Sequence, residues 1–156
     1  MNQQKRILLS LATGLAFIAA VDFGLWFAPM LDEYLFVAQG SGDSMEPTFE
    51  EGDIIVVEGV TEPSEGDLIA FTAHYNGEDE VVIHRAAFHV EEGENWYEQA
   101  DPSLTDHESC DDSPACPARS SGWITVGDNE DVYDQERDLP APVDDDEIEG
   151  RAVFVW

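Results

Sequence analysis

The sequence predicts an all-β domain that follows one N-terminal transmembrane helix. Residues 7–31 form a 25-residue apolar segment with one charge, Asp22, and about 20 apolar residues suffice to span a membrane. After residue 35 there is no helical periodicity of useful length, and short apolar runs alternate with turn residues. We therefore expect a cytoplasmic N-terminus at 1–6, an anchor at 7–31 and a β-rich extracytoplasmic domain at 36–156, so that the protein is a single-pass protein of the cell membrane.

The residues around the apolar segment predict its orientation. Lys5 and Arg6 precede it, and such cations favour the cytoplasmic side. Asp22 opposes the prediction, because a carboxylate near the bilayer centre costs about 3 kcal/mol. A cleavable signal peptide ending near Ala19 and Ala20 is the alternative. An uncleaved anchor is favoured because the apolar pattern resumes after Asp22.

The charge balance excludes one class of partner. Asp and Glu number 35 against 6 Lys and Arg, which gives a net charge of −29. Such a surface repels phosphates, so nucleic-acid binding is not expected. The acids are spread along the chain after residue 31, which favours adaptation to high salt, where counterions screen their repulsion. The alternative is an acidic face that binds a basic partner.

Short apolar runs bounded by turn residues predict the strands. In chain order they are Ile54–Glu58, Asp67–His74, Val81–Val90, Trp96–Ala100, Trp123–Val126 and Arg151–Trp156. Asn76-Gly77 predicts a hairpin turn between the second and third runs. The acidic stretch 101–121 is expected to be a loop, and 139–149 is another acidic stretch. The sequence leaves open whether the protein continues beyond Trp156.

The two cysteines lie close together in the predicted loop at 101–121. Five residues separate Cys110 from Cys116, and Pro114 turns the chain between them. Outside the cytoplasm this spacing is compatible with a short-loop disulfide. Two free thiols, or a metal site that also uses His107, remain open, although the spacing fits no familiar zinc pattern.

Three segments contain candidate catalytic residues. The first, Gly40–Thr48, places Ser44 among glycines that permit unusual backbone dihedrals. The second places His84 in the apolar run at 81–85, and the third places several carboxylates, from Asp128 to Asp134, in a turn after a strand. A serine nucleophile needs a base, a group that orients the base, and donors for the oxyanion. Each segment alone is more often a plain turn, a core histidine or a solvated acid.

The order of these segments resembles the signal peptidase I family. SGDSMEPTFEEGD resembles its nucleophile box, EGDLIAF followed by VVIHRAAF resembles the strand pair that carries the base, and GDNEDVYD resembles the closing box. The likeness runs from about Gly40 to Trp156, with the N-terminal anchor in addition. The bacterial type has a lysine where this chain has His84, so the chain resembles the archaeal and endoplasmic-reticulum type. With its acid-rich, lysine-poor composition, a halophilic archaeal source is expected.

The resemblance implies a serine endopeptidase that removes signal peptides from preproteins. It implies Ser44 as nucleophile, His84 as general base, Asp134 as the orienting acid and Asp128 as a support of the site, with no cofactor and no metal. Small side chains at the first and third positions before the cut are expected in the substrate. Because free histidine titrates near pH 6.5, activity should fall as the medium turns acidic.

The nucleophile box departs from the family pattern at two positions. Asp43 is more like the self-cleaving repressors that share the fold, and Gly42 stands where the bacterial type has a hydroxyl that assists the oxyanion. The Ser44 N–H is then expected to stabilise the oxyanion, with the Ser41 hydroxyl as a candidate second donor.

Two other functions are open at this point. One is a catalytically inactive, membrane-tethered β-domain that binds partners. The other is a self-cleaving regulator, which would need a DNA-binding or partner domain before the catalytic one. A separate question concerns Phe36 and Phe49, which either belong to the core or dip toward the bilayer.

Overall fold

The computed structural model describes residues 35–59, 62–75, 78–137 and 139–156. The chain divides into two units, Met1–Leu35 and Phe36–Trp156, and the second unit contains the folded domain. The anchor predicted at 7–31 and the Asn76-Gly77 turn lie outside the described residues. Across the ranges that are described, no helix combines the length and apolar character needed to cross a membrane.

Six strands form one antiparallel sheet, which confirms the prediction of a β-rich domain. The strands are β1 (Leu35–Gln39), β2 (Ile54–Glu58), β3 (Leu68–Tyr75), β4 (Glu78–Val90), β5 (Gly122–Val126) and β6 (Ile148–Val155). Their order across the sheet is β1-β2-β6-β3-β4-β5. Strand β6 lies between β2 and β3 and pairs with both. It therefore joins β1 and β2 to the rest of the sheet.

Three segments differ from the sequence prediction. Trp96–Ala100 was predicted as a strand, but Trp96–Glu98 is a 3-10 helix. The fully buried Trp96 ring packs against Phe88 and Tyr133, and its Nε1 donates to the Ala115 carbonyl at 3.0 Å, so tertiary packing overrides the strand propensity of this aromatic run. Strand β1 was not predicted, because its short apolar run directly follows the apolar segment before it. A short helix, α1 (Asp134–Arg137), also appears after β5.

The core next to the Ser44 loop holds both bulky neighbours of that serine. Met45 is 2% exposed and Phe49 is 6% exposed, and both pack in a cluster with Ile55, Val57 and Ala70. Phe36 is partly buried against the same cluster. Phe49 is therefore a core residue and does not dip toward a bilayer.

Within the loop at 101–121, Cys110 and Cys116 form a disulfide. The alternatives of two free thiols, or of a metal site that uses these cysteines, are therefore wrong. His107 instead places its Nδ1 3.4 Å from the Glu136 carboxylate of α1. The backbone N–H of Asp106 donates to the same carboxylate at 2.5 Å, so the loop is held against α1.

Replacement of both cysteines by serine should lower the free energy of unfolding by about 2 kcal/mol. The loop that the bond closes is short, with a sequence separation of 6, and in the chain-entropy account a short loop gives a modest gain. Urea unfolding of the wild type with and without reductant measures the effect. The double variant is the matched control, because reductant should leave its midpoint unchanged. Equal midpoints for the oxidised wild type and the double variant would contradict the prediction.

Candidate active site

Ser44 lies in a turn between β1 and β2 that is fastened at both ends. The Gly40 N–H donates to Asp53 at 2.9 Å and the Gly52 N–H donates to Gly40 at 3.0 Å, which closes the base of the turn. Gly42 has φ +78°, a left-handed conformation that side chains other than glycine rarely adopt. The buried Met45 then fixes the serine from its other side.

The turn after β5 packs directly on this serine. The Asn129 N–H donates to the Ser44 carbonyl at 2.8 Å, and the Asn129 side-chain amide donates to the Asp43 carbonyl at 3.0 Å. A Cβ at Gly127 would lie 2.6 Å from the Ser44 carbonyl oxygen and 3.2 Å from the Ser44 Cβ. The glycine is therefore required for this close approach, and the third sequence segment holds the first one in place.

His84 lies between Ser44 and Asp134. It lies on β4, whose neighbours in the sheet are β3 and β5. Its Nε2 lies 3.0 Å from the Ser44 Oγ, and its Nδ1 lies 2.8 Å from the Asp134 Oδ2. The side chains of His84 and Asp134 are 13% and 10% exposed, so water competes weakly for these bonds. The structure thus brings together three of the four predicted site residues in one hydrogen-bonded chain.

Asp128, the fourth predicted residue, makes no hydrogen bond to Ser44 or His84. Its carboxylate accepts from the Arg85 Nε at 2.7 Å and from the Arg85 Nη2 at 2.5 Å, and it also accepts from the Thr48 hydroxyl. The Arg85 Nη1 donates to the Gly66 carbonyl at 2.6 Å. Asp128 therefore joins the loop after Ser44 to the strand that carries His84.

Charge pairing at Asp128 shifts the pKa values of both partners. The hydrogen bond from Arg85 lowers the pKa of Asp128 below its ordinary value, with partial burial acting against it and Thr48 adding to it. The same hydrogen bond raises the pKa of Arg85. Asp128 therefore stays ionised to a lower pH, and Arg85 stays protonated to a higher pH, than the free side chains. The link between the loop after Ser44 and strand β4 persists over that range.

Two candidate donors for an oxyanion belong to Ser41 and Ser44, which line the same cleft. Within the described part of the chain, neither the Ser44 N–H nor the exposed Ser41 hydroxyl makes a hydrogen bond. Both groups are thus available to a negatively charged oxygen that forms at Ser44. Gly42, between them, contributes no hydroxyl.

A cleft of about 370 Å³ opens from Ser44 and His84 along the sheet. One wall is the end of β1 with the following turn, and the other wall is the part of β4 before His84. Its lining is mostly small or aliphatic and includes Ala38, Gly40, Ile55, Val81 and Ile83. Polar side chains, among them Gln39 and Glu80, complete the lining. An extended chain with small side chains matches the shape of this cleft.

The chain belongs to the Peptidase S24-like family, whose profile matches residues 19–105. The matched range contains Ser44 and His84, whereas Asp128 and Asp134 lie beyond it. No curated protein matches the chain. The family places the chain among the serine peptidase folds, which confirms the prediction at that level. Membership of the signal peptidase I type stays a prediction.

Sequence reasoning missed Arg85, Thr48 and Asn129, which hold the site together. The position of Arg85 directly after the candidate base His84 was the one sequence feature that could have indicated a role in the site. Its partner Asp128 is 43 residues away and Thr48 is 80 residues from the same carboxylate, so no local pattern connects them.

Asp128→Asn should destabilise the domain at neutral pH and not in strong acid. A lowered pKa means that Asp128 contributes stability above its unfolded value, near pH 3.9, and loses it as the pH falls through the lower folded value. Loss of the charge-assisted hydrogen bonds should cost about 1.5–3 kcal/mol at pH 7.

Urea unfolding at pH 7, and again at the lowest pH at which the wild type still folds, measures this difference. Asp131→Asn is the matched control, because Asp131 lies in the same turn but its side chain is 86% exposed. A difference between wild type and Asp128→Asn that is the same at both pH values would contradict the sign of the shift.

Proposed function

We propose that this protein is a serine endopeptidase that removes N-terminal signal peptides from preproteins at the outer face of a membrane. The observation that carries the proposal is the chain of hydrogen bonds from Ser44 through His84 to Asp134. A nucleophile, a base and a group that orients the base are the parts that acyl transfer by serine needs, and all three are largely shielded from water.

The proposed reaction begins when the Ser44 Oγ attacks the carbonyl carbon before the cleavage site. The His84 Nε2 accepts the hydroxyl proton as the new C–O bond forms, and the carboxylate of Asp134 stabilises the resulting imidazolium. The tetrahedral oxyanion accepts from the Ser44 N–H and the Ser41 hydroxyl. The imidazolium then gives its proton to the leaving amine, which leaves an acyl-enzyme on Ser44.

Water completes the proposed cycle by the same route in reverse. His84 takes a proton from a water molecule, whose oxygen attacks the acyl carbon. Collapse of the second tetrahedral intermediate breaks the C–O bond to Ser44 and returns the proton from His84 to the serine. No metal or cofactor enters these steps.

The cleft supports the proposed substrate class. An extended segment can lie between the two cleft walls and hydrogen-bond to exposed backbone, as peptides do when they add to a sheet. The small and aliphatic lining favours small side chains in the residues that precede the cut. The resemblance to the signal peptidase I family implies the same small residues before the cleavage site of a signal peptide.

The proposed location rests on the sequence. The apolar segment 7–31 with Lys5 and Arg6 before it supports a location of the domain outside the cytoplasm, where signal peptides emerge. The net charge of −29 favours a medium of high salt, in which the repulsion among carboxylates is screened. We therefore propose to assay cleavage over a range of salt concentrations.

Ser44→Ala and His84→Ala should each reduce preprotein cleavage at least about a thousandfold, because loss of a triad member removes nucleophilic catalysis. Asp134→Ala should reduce it about a hundredfold or more. Asp131→Ala is the matched control and should stay within about twofold, since Asp131 lies three residues away and pairs only on the surface with Arg137. The full chain in lipid vesicles and a purified preprotein are used, with cleavage followed on gels.

The outcomes separate this proposal from its alternatives. Processing by Ser44→Ala at the wild-type rate would contradict the assignment. Equal losses for Asp134→Ala and Asp131→Ala would contradict the role of Asp134. An inactive wild type would favour the partner-binding β-domain, and cleavage confined to the chain itself would favour the self-cleaving regulator.

A further inference from the structure

A second donor reaches the carboxylate that His84 contacts. The Thr125 hydroxyl on β5 lies 2.7 Å from the Asp134 Oδ2, the same oxygen that lies 2.8 Å from the His84 Nδ1. Thr125 is fully buried, and Asp134 is 9% exposed. Water therefore does not compete for this hydrogen bond. The proposed reaction gives the Thr125 hydroxyl no role.

The direction of this hydrogen bond follows from a backbone amide. The Thr125 N–H donates at 3.0 Å to one end of the buried Gln135 amide, which must be the oxygen because a backbone N–H can only donate. The other end, Nε2, is then the donor and lies 3.4 Å from the Thr125 hydroxyl and 3.5 Å from the Ala141 carbonyl. The orientation of Gln135 is thus fixed by its partners.

The same reasoning continues to the histidine. Because Nε2 of Gln135 donates to the Thr125 oxygen, the hydroxyl hydrogen is directed to the Asp134 Oδ2. An ionised carboxylate accepts only, so the His84 Nδ1 must carry the proton that faces it. In a neutral imidazole the Nε2 is then an acceptor, and it lies 3.0 Å from the Ser44 hydroxyl.

We propose that Thr125 and Gln135 are positioning residues that hold Asp134 and thereby fix the tautomer and orientation of His84 for proton transfer from Ser44. The proposal deepens the proposed function and rests on it for its effect on catalysis. Its structural part, the tautomer of His84, holds whichever substrate the enzyme cuts.

The sheet places this threonine where a positioning role is possible. Thr125 pairs with Ala86 and the next residue, Val126, pairs with Arg85, so β5 runs beside the segment of β4 that follows His84. Asp134 begins α1, and Gln135 is its neighbour in that helix. Asp134 and Gln135 of α1 therefore both hydrogen-bond to Thr125. A shift of α1 would move Asp134 and, through it, His84.

The first test measures the tautomer in the full-length wild type. The chain has four histidines, so ¹⁵N spectra of the imidazoles can be assigned with His84→Gln as the reference. At a pH where His84 is neutral, the proposal predicts a protonated Nδ1 and an unprotonated Nε2. A protonated Nε2 in the wild type would overturn the inference, and this result does not depend on any substrate.

The second test removes the hydroxyl while keeping the shape of the side chain. Thr125→Val should lower kcat about ten- to hundredfold with KM within about twofold, and it should give a mixture of His84 tautomers. Thr125→Ser should restore both readouts. Thr72→Val is the matched control, because the Thr72 hydroxyl also donates to a carboxylate, Glu149, but lies on β3 away from the site.

Every outcome of the second test bears on the inference. Wild-type kcat together with a pure Nδ1–H tautomer in Thr125→Val would overturn it. If the valine variant does not fold, Gln135→Met removes the amide that holds Thr125 in place, and an unchanged tautomer and kcat there would overturn the inference. If no preprotein is cut by the wild type, the proposed function fails, while the tautomer measurement still decides the inference.

Discussion

The hydrogen bond between the His84 Nδ1 and Asp134 is the contact on which the geometry of the site depends. It joins β4, in the sheet, to α1, which lies outside the sheet after the turn that follows β5. The turn after β5 also holds the Ser44 loop through Asn129. The Ser44 loop, β4 and α1 are therefore positioned together. Because the bonds link residues 40 to 86 positions apart, the site forms only when the sheet is complete.

The composition constrains which side chain can act as base. The single lysine of the chain is Lys5, so the described domain contains no lysine that could accept the serine proton. Histidine then needs a partner for the imidazolium, and Asp134 provides it with a side chain that is 10% exposed. The other acids lie mostly on the surface, where they interact with solvent. Among the described residues that line the cleft, Glu80 is the one carboxylate.

The sequence predicted most of the sheet and the candidate site, but not the contacts that support the site. Strands with a clear apolar run, such as β2 and β4, could be located, whereas Trp96 could not be distinguished from a strand residue because its burial depends on Phe88 and Tyr133. The order of three motifs singled out Ser44, His84 and Asp134. The link from Asp128 to Arg85 and the one from Thr125 to Asp134 depend on how β4, β5 and α1 pack, which no local pattern encodes.

In the proposed reaction Ser44, activated by His84, becomes acylated by the substrate. Rapid acid quenching of the full chain mixed with a preprotein, followed by intact-mass and peptide-mapping mass spectrometry, tests it directly. We expect an adduct on Ser44 with the mass of the released signal peptide less one water, removed by hydroxylamine, and no adduct in His84→Ala. Cleavage that proceeds with no adduct on Ser44, or with an adduct on another residue, would show that Ser44 is not the nucleophile.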